Sequence, residues 1–121
     1  MALDEYILEP SSLPLSNVSI SALLQLERAT NQWVVTVVIT RAAGQPPIQA
    51  RDVDAQLLDS QGGPLPVLER PSGPLVEAGD SLGMSANALF RFADTAAVPA
   101  ELIVTYEGQP VRFRIVQAVT G

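Results

Sequence analysis

Ser81 stands in the run Gly79-Asp80-Ser81-Leu82, where small residues would present its hydroxyl at a turn. A serine Oγ becomes a nucleophile only when an adjacent base takes its proton, usually a histidine and otherwise a lysine. The chain contains no histidine, no lysine and no cysteine. Nothing in it can activate Ser81, so the four residues read as a turn leading into a strand, with Gly79 free to take φ > 0. The same absences remove zinc, copper and haem ligands, disulfides, and Schiff-base chemistry with pyridoxal phosphate. No cofactor is expected.

The letters G-D-S-L also carry the catalytic serine of a large family of esterases and lipases. Those enzymes place them after the first strand of an α/β fold, near the N-terminus. Here they lie two-thirds along a chain patterned for strands. The carboxylates are then the only strong acid–base groups, and six aromatics are few for a glycosidase cleft. The expectation is that the protein is not an enzyme, with a hydrolase the least favoured reading.

Asp52, Asp54 and Asp59 form an acidic group. Asp52 and Asp54, two apart at a predicted strand start, would share a face and could hold calcium with carbonyls of the preceding loop. No Asp-rich loop of calcium-binding spacing is present, and a solvated strand edge that discourages aggregation is the simpler reading. A calcium- or small-ligand-binding domain stands as the alternative function.

All seven basic residues are arginines, against thirteen acids, for a net charge of −6. That balance argues against a nucleic-acid backbone or an anionic membrane surface as partner. Arg112 and Arg114 point outward from one predicted strand and Arg91 from another, with Glu107 placed to neutralise Arg112. The proline-rich run Pro64–Pro74 could dock on a partner as polyproline II, but between strands it reads as an edge strand. Asn17-Val18-Ser19 fits a glycosylation pattern that matters only in a secreted eukaryotic chain. The acidic first residues have no signal-peptide h-region, and the longest apolar run, Trp33–Ile39, is too short to span a bilayer. A soluble chain is expected; the compartment stays open and leans to the cytoplasm.

The elements that must carry these residues are strands. No segment of helical length has a 3.6-residue period, whereas alternation recurs. Val18, Ile20, Ala22, Leu24 and Leu26 share a face, as do Trp33, Val35, Val37 and Ile39. Further runs cover Asp52–Asp59, Leu65–Glu69, Met84–Phe92, Glu101–Glu107 and Val111–Val116. The last two read as a hairpin over a Gly108-Gln109 loop of type II′, pairing Tyr106 with Val111, Val104 with Phe113 and Leu102 with Ile115.

Seven short strands predict an all-β, antiparallel fold. Trp33 on the second strand, the turn Asp59–Pro66 and the closing hairpin Leu102–Ile115 resemble immunoglobulin-like and fibronectin-III-like sandwich domains, bacterial ones especially. The resemblance covers about Asn17 to Gln117 and lacks the cysteine pair of antibody domains. It implies a seven-strand β-sandwich over residues 17–121, preceded by an N-terminal arm over 1–16. It also implies adhesion, spacing or assembly rather than catalysis.

One apolar feature fits that implication. If the first two strands pair as a hairpin, outward Leu23 lies opposite Thr36 and diagonal to Val34 and Val38. The arm adds Tyr6, Ile7 and Leu8, with Leu13 and Leu15 beyond. Either the arm folds back over this patch, or patch and arm meet another chain. The chain therefore reads as a binding or assembly module acting through Leu23, Val34, Val38, Tyr6, Ile7 and Leu8, together with the loop 44–48. Its partner is expected to be a protein or a second copy of itself.

Overall fold

The computed structural model describes residues 3–12, 18–41, 48–73, 75, 77–80, 83–94 and 98–119. Along them run strands β1 (Leu3–Pro10), β2 (Ser19–Glu27), β3 (Gln32–Arg41), β4 (Val53–Asp59), β5 (Val67–Glu69), β6 (Glu77–Asp80), β7 (Gly83–Ala93), β8 (Pro99–Tyr106) and β9 (Gln109–Val119). A short 3-10 turn, Ala50–Asp52, precedes β4. Every pairing is antiparallel, and the strands form one curled sheet in the order β4-β8-β9-β1-β2-β3-β7-β5. β6 pairs with β7 along Gly83–Ala86, while β5 takes the other end of the same strand at Arg91–Phe92.

The all-β, antiparallel class follows from the sequence, and each of the seven expected runs is a strand. The connectivity differs from a seven-strand sandwich in that nine strands among the described residues are hydrogen-bonded into one sheet. The strand that makes the difference is β1, in the segment expected as an arm. It pairs with β2 on one side (Leu3 with Glu27, Tyr6 with Leu24) and with β9 on the other (Glu5 with Val119, Pro10 with Phe113). Rather than lying over a sheet face, it is a central strand that joins the two halves. Tyr6 and Leu8 pack against the core, with the Tyr6 ring edge-on to Trp33 at 5.1 Å between centroids.

The curl brings β2, β3 and β7 over β4, β8 and β9, and one core fills the space between. Phe90, Phe92, Leu24, Ile39, Val35 and Val37 from the first half meet Leu57, Leu102 and Val104 from the second, all fully buried. These are the inward positions of the alternating runs, and no polar or charged residue among those described is buried with them.

The β2–β3 hairpin has the expected register, with Leu23 opposite Thr36, Gln25 opposite Val34 and Ser21 opposite Val38. The β8–β9 hairpin is offset by two residues from expectation, pairing Tyr106 with Gln109, Val104 with Val111 and Leu102 with Phe113. Its loop is Glu107-Gly108, at φ 50° and 82°, a type I′ turn. Proline explains the offset. The pair that closes a two-residue hairpin exchanges backbone hydrogen bonds, and a Gly108-Gln109 loop would put Pro110, which has no N–H, in that pair. The observed loop moves Pro110 one position out, opposite Thr105. A two-residue offset keeps every side chain on its face, so alternation alone does not distinguish the registers.

The curl leaves a seam between β4 and the far side of β7, bridged by non-strand segments. The Leu65 N–H donates to the Leu57 carbonyl, the Ala50 N–H to Gly73 and the Leu75 N–H to Ile48, each at 2.8 Å. Arg70 crosses the seam to ion-pair with Asp54. Asp59 shapes the turn after β4: its Oδ1 accepts from the Gln61 and Gly63 N–H groups at 2.8 and 2.9 Å.

Candidate functional site

Alternation fixes what each half presents outward. On β2, β3 and β7 the outer face holds Ser19, Ser21, Leu23 and Gln25, then Val34, Thr36, Val38 and Thr40, then Ser85, Asn87 and Leu89. None of these is charged. Leu23, Thr36 and Leu89 stand in one row across the three strands. Leu23 is 40% exposed and Leu89 39%. Ile7, two residues along β1 from outward Glu5, extends the row and is 46% exposed. Val116 has no partner on β1, because the β1–β9 register skips it between Ile7 and Leu8, and it too is exposed.

Charge gathers at one end of this face. Arg91 donates to Gln32 Oε1 at 3.2 Å and lies 3.5 Å from Glu27 and 3.7 Å from Glu69. The Thr30 hydroxyl donates to Glu27 at 2.6 Å, and that bond, then Arg91, lowers the Glu27 pKa below its ordinary value. Gln25 and Arg91 flank Val34 in the register, and Val34 is only 7% exposed.

Family models, curated proteins and solved structures give no match to this chain. The geometry alone carries the functional reading.

Of the residues singled out from sequence, Leu23 and Ile7 are exposed neighbours on the outer face, and Val38 is half-buried beside them. Val34 faces the same way but is covered. Tyr6 and Leu8 turn inward, because a strand can present only every second side chain to each side. Leu89 completes the row, and the sequence reading missed it. Its outward parity is legible in Met84–Phe92, but that β7 lies beside β3 is a long-range fact.

The other candidates are spread apart. Asp52 ends the 3-10 turn, while Asp54 lies within β4 and is ion-paired with Arg70. Among the described residues no three acidic groups gather as a metal site would require. Gly79 and Asp80 belong to β6, opposite Met84 and Gly83, while Ser81 and Leu82 lie outside the described residues. So do Leu13, Leu15 and Asn17, and residues 44–47 of the loop, whose last residue, Ile48, is buried. Arg112 pairs with Glu101 at 3.2 Å instead of Glu107, a consequence of the hairpin offset, and Arg114 pairs with Glu9 at 2.5 Å. Among the described residues no helix is long and apolar enough to cross a membrane.

Proposed function

We propose that this protein is a non-catalytic assembly domain that associates with a second copy of itself through the outer face of β2, β3 and β7, with Ile7 of β1 at its margin. The observation that carries this reading is the absence of charge on the outward positions between Ser19 and Gln25, Val34 and Thr40, and Ser85 and Leu89, in a chain of net charge −6. Two copies of an acidic protein repel, and a symmetric contact sets each residue patch against its own copy. A face without carboxylates can meet itself with no like charges opposed. Leu23, Leu89 and Ile7 keep about two-fifths of their surface exposed, and covering that part gains about 0.6–1.4 kcal/mol each. The lack of histidine, lysine and cysteine supports the non-catalytic part of the reading.

The finer fold reading is an immunoglobulin-like sandwich whose two sheets are joined through β1. It is supported by strand adjacency. Without β1 and β6, the strands in chain order fall into a β2-β3-β7-β5 group and a β4-β8-β9 group. Those are the groupings of the first, second, fifth and fourth strands, and of the third, sixth and seventh, in the seven-strand immunoglobulin order.

Sedimentation velocity from micromolar to millimolar protein tests the proposed assembly. The mass is expected to rise with concentration. Leu23→Glu should weaken association at least about tenfold, or ~1.4 kcal/mol, with little change in melting temperature. Thr105→Glu, on the outer face of β8, should leave association intact. A chain that stays monomeric throughout refutes the proposal, as does a Thr105→Glu variant as impaired as Leu23→Glu.

A further inference from the structure

We infer that the seam between β4 and β7 is a binding site for a small monocarboxylate with a flat apolar body. A cleft of about 440 Å³ opens there. That size lies within the roughly 300–1,000 Å³ of small-molecule sites. One wall comes from the 3-10 turn and the start of β4, and the other from the segment that leaves β5. Val53 and Pro71 give it apolar sides, and the buried Phe90 of β7 contributes to its floor. The hydrogen bond from the Ala50 N–H to the Gly73 carbonyl ties the two walls together.

Its charge sets it apart from the rest of the molecule. Arg51 and Arg70 line it with a single carboxylate, Asp54, so the lining carries +1 in a chain of −6. Each of the other six arginines has an interaction partner. Arg51 has none among the described residues, although acids outnumber arginines thirteen to seven. Arg70 gives Nη1 to Asp54 and retains further donors. Two guanidinium groups beside an apolar floor recognise a carboxylate attached to a ring or short hydrocarbon. The charge selects one negative unit, since a dianion would place its second charge against Asp54 uncompensated. This site is independent of the proposed assembly face, which lies on the outside of the sheet.

Amide chemical-shift titration of the whole chain tests the inference, with 2-naphthoate as probe. Acetate, inorganic phosphate and neutral 2-naphthamide separate the contributions of body and charge. Saturable shifts are expected at Arg51, Val53, Asp54 and Gly73, with a dissociation constant below about 1 mM. The three controls should bind at least about tenfold more weakly, and Arg51→Gln and Arg70→Gln should each weaken 2-naphthoate by about as much. Weaker or non-saturable binding overturns the inference. It is also overturned by naphthamide or phosphate matching naphthoate, or by an Arg51→Gln variant that binds as the parent does, which would leave Arg51 an ordinary solvated arginine.

Discussion

The two outer faces of this curled sheet are built on the same strand geometry and the same core, yet they differ in chemistry. Over β2, β3 and β7 the outward positions are serine, threonine, asparagine, glutamine and aliphatic residues, with charge confined to the Arg91 end. Over β4, β8 and β9 they include Asp54, Glu101, Arg112 and Arg114, each held in an ion pair. The charged face keeps water and needs no partner. The uncharged one exposes Leu23 and Leu89 at about two-fifths of their surface. Charge placement, not strand propensity, distinguishes the two faces.

If the faces differ while the core is common, damage to the core should spare neither half. Phe90→Ala removes the largest kind of fully buried side chain from between them. It is expected to cost about 3–5 kcal/mol. Circular dichroism and tryptophan fluorescence should then report one coincident unfolding transition at lower denaturant. Two separated transitions would show halves that fold apart, and the comparison would have to be drawn between domains. A smaller effect sharpens the charged side. A double-mutant cycle with Glu9→Gln and Arg114→Gln should give a coupling of about 0.2–1 kcal/mol, because both side chains are more than half exposed. That coupling should shrink as salt is added; one that persists in high salt would mean the pair is not solvated.

The smallest expected effect lies in the pH dependence at the foot of β8. Burial of the Tyr106 ring, then the neighbouring Glu107, raises its pKa above the ordinary value near 10. A raised folded-state pKa contributes stability that is present below the unfolded value and is lost as pH climbs through the folded one. Melting temperature should therefore fall as pH rises from the ordinary value near 10 toward the folded one, and more gently in Tyr106→Phe. Equal alkaline slopes for the two proteins would assign the loss to other groups.

Much of this was legible in the sequence because β-structure writes itself in alternation. The inward sets Trp33, Val35, Val37, Ile39 and Ala86, Ala88, Phe90, Phe92 are buried as their spacing predicts, and the β2–β3 register follows from the short link at residues 28–31. What stayed hidden depends on partners far along the chain. β1 does not read as a strand because Ile7, between Glu5 and Glu9, breaks the polar outer set that would have marked it. The row Ile7–Leu23–Thr36–Leu89 needs strand order as well as parity, and local pattern supplies only parity. The partner of Arg112 changed from Glu107 to Glu101 because one proline moved the hairpin by two residues. That Arg51 has no partner among the described residues is visible only once every other arginine has found its place.

The position of β1 also has a consequence in time. Its pairing with β9 joins Glu5 to Val119, so almost the whole described chain is a loop that must close before this contact exists. Loop closure is unfavourable until long-range contacts reward it, and chains dominated by such contacts fold in milliseconds to seconds. On a ribosome β1 emerges before β2 to β9 and can settle against β2 early. Its other side must wait for β9, so the two halves become one sheet only as synthesis of β9 ends.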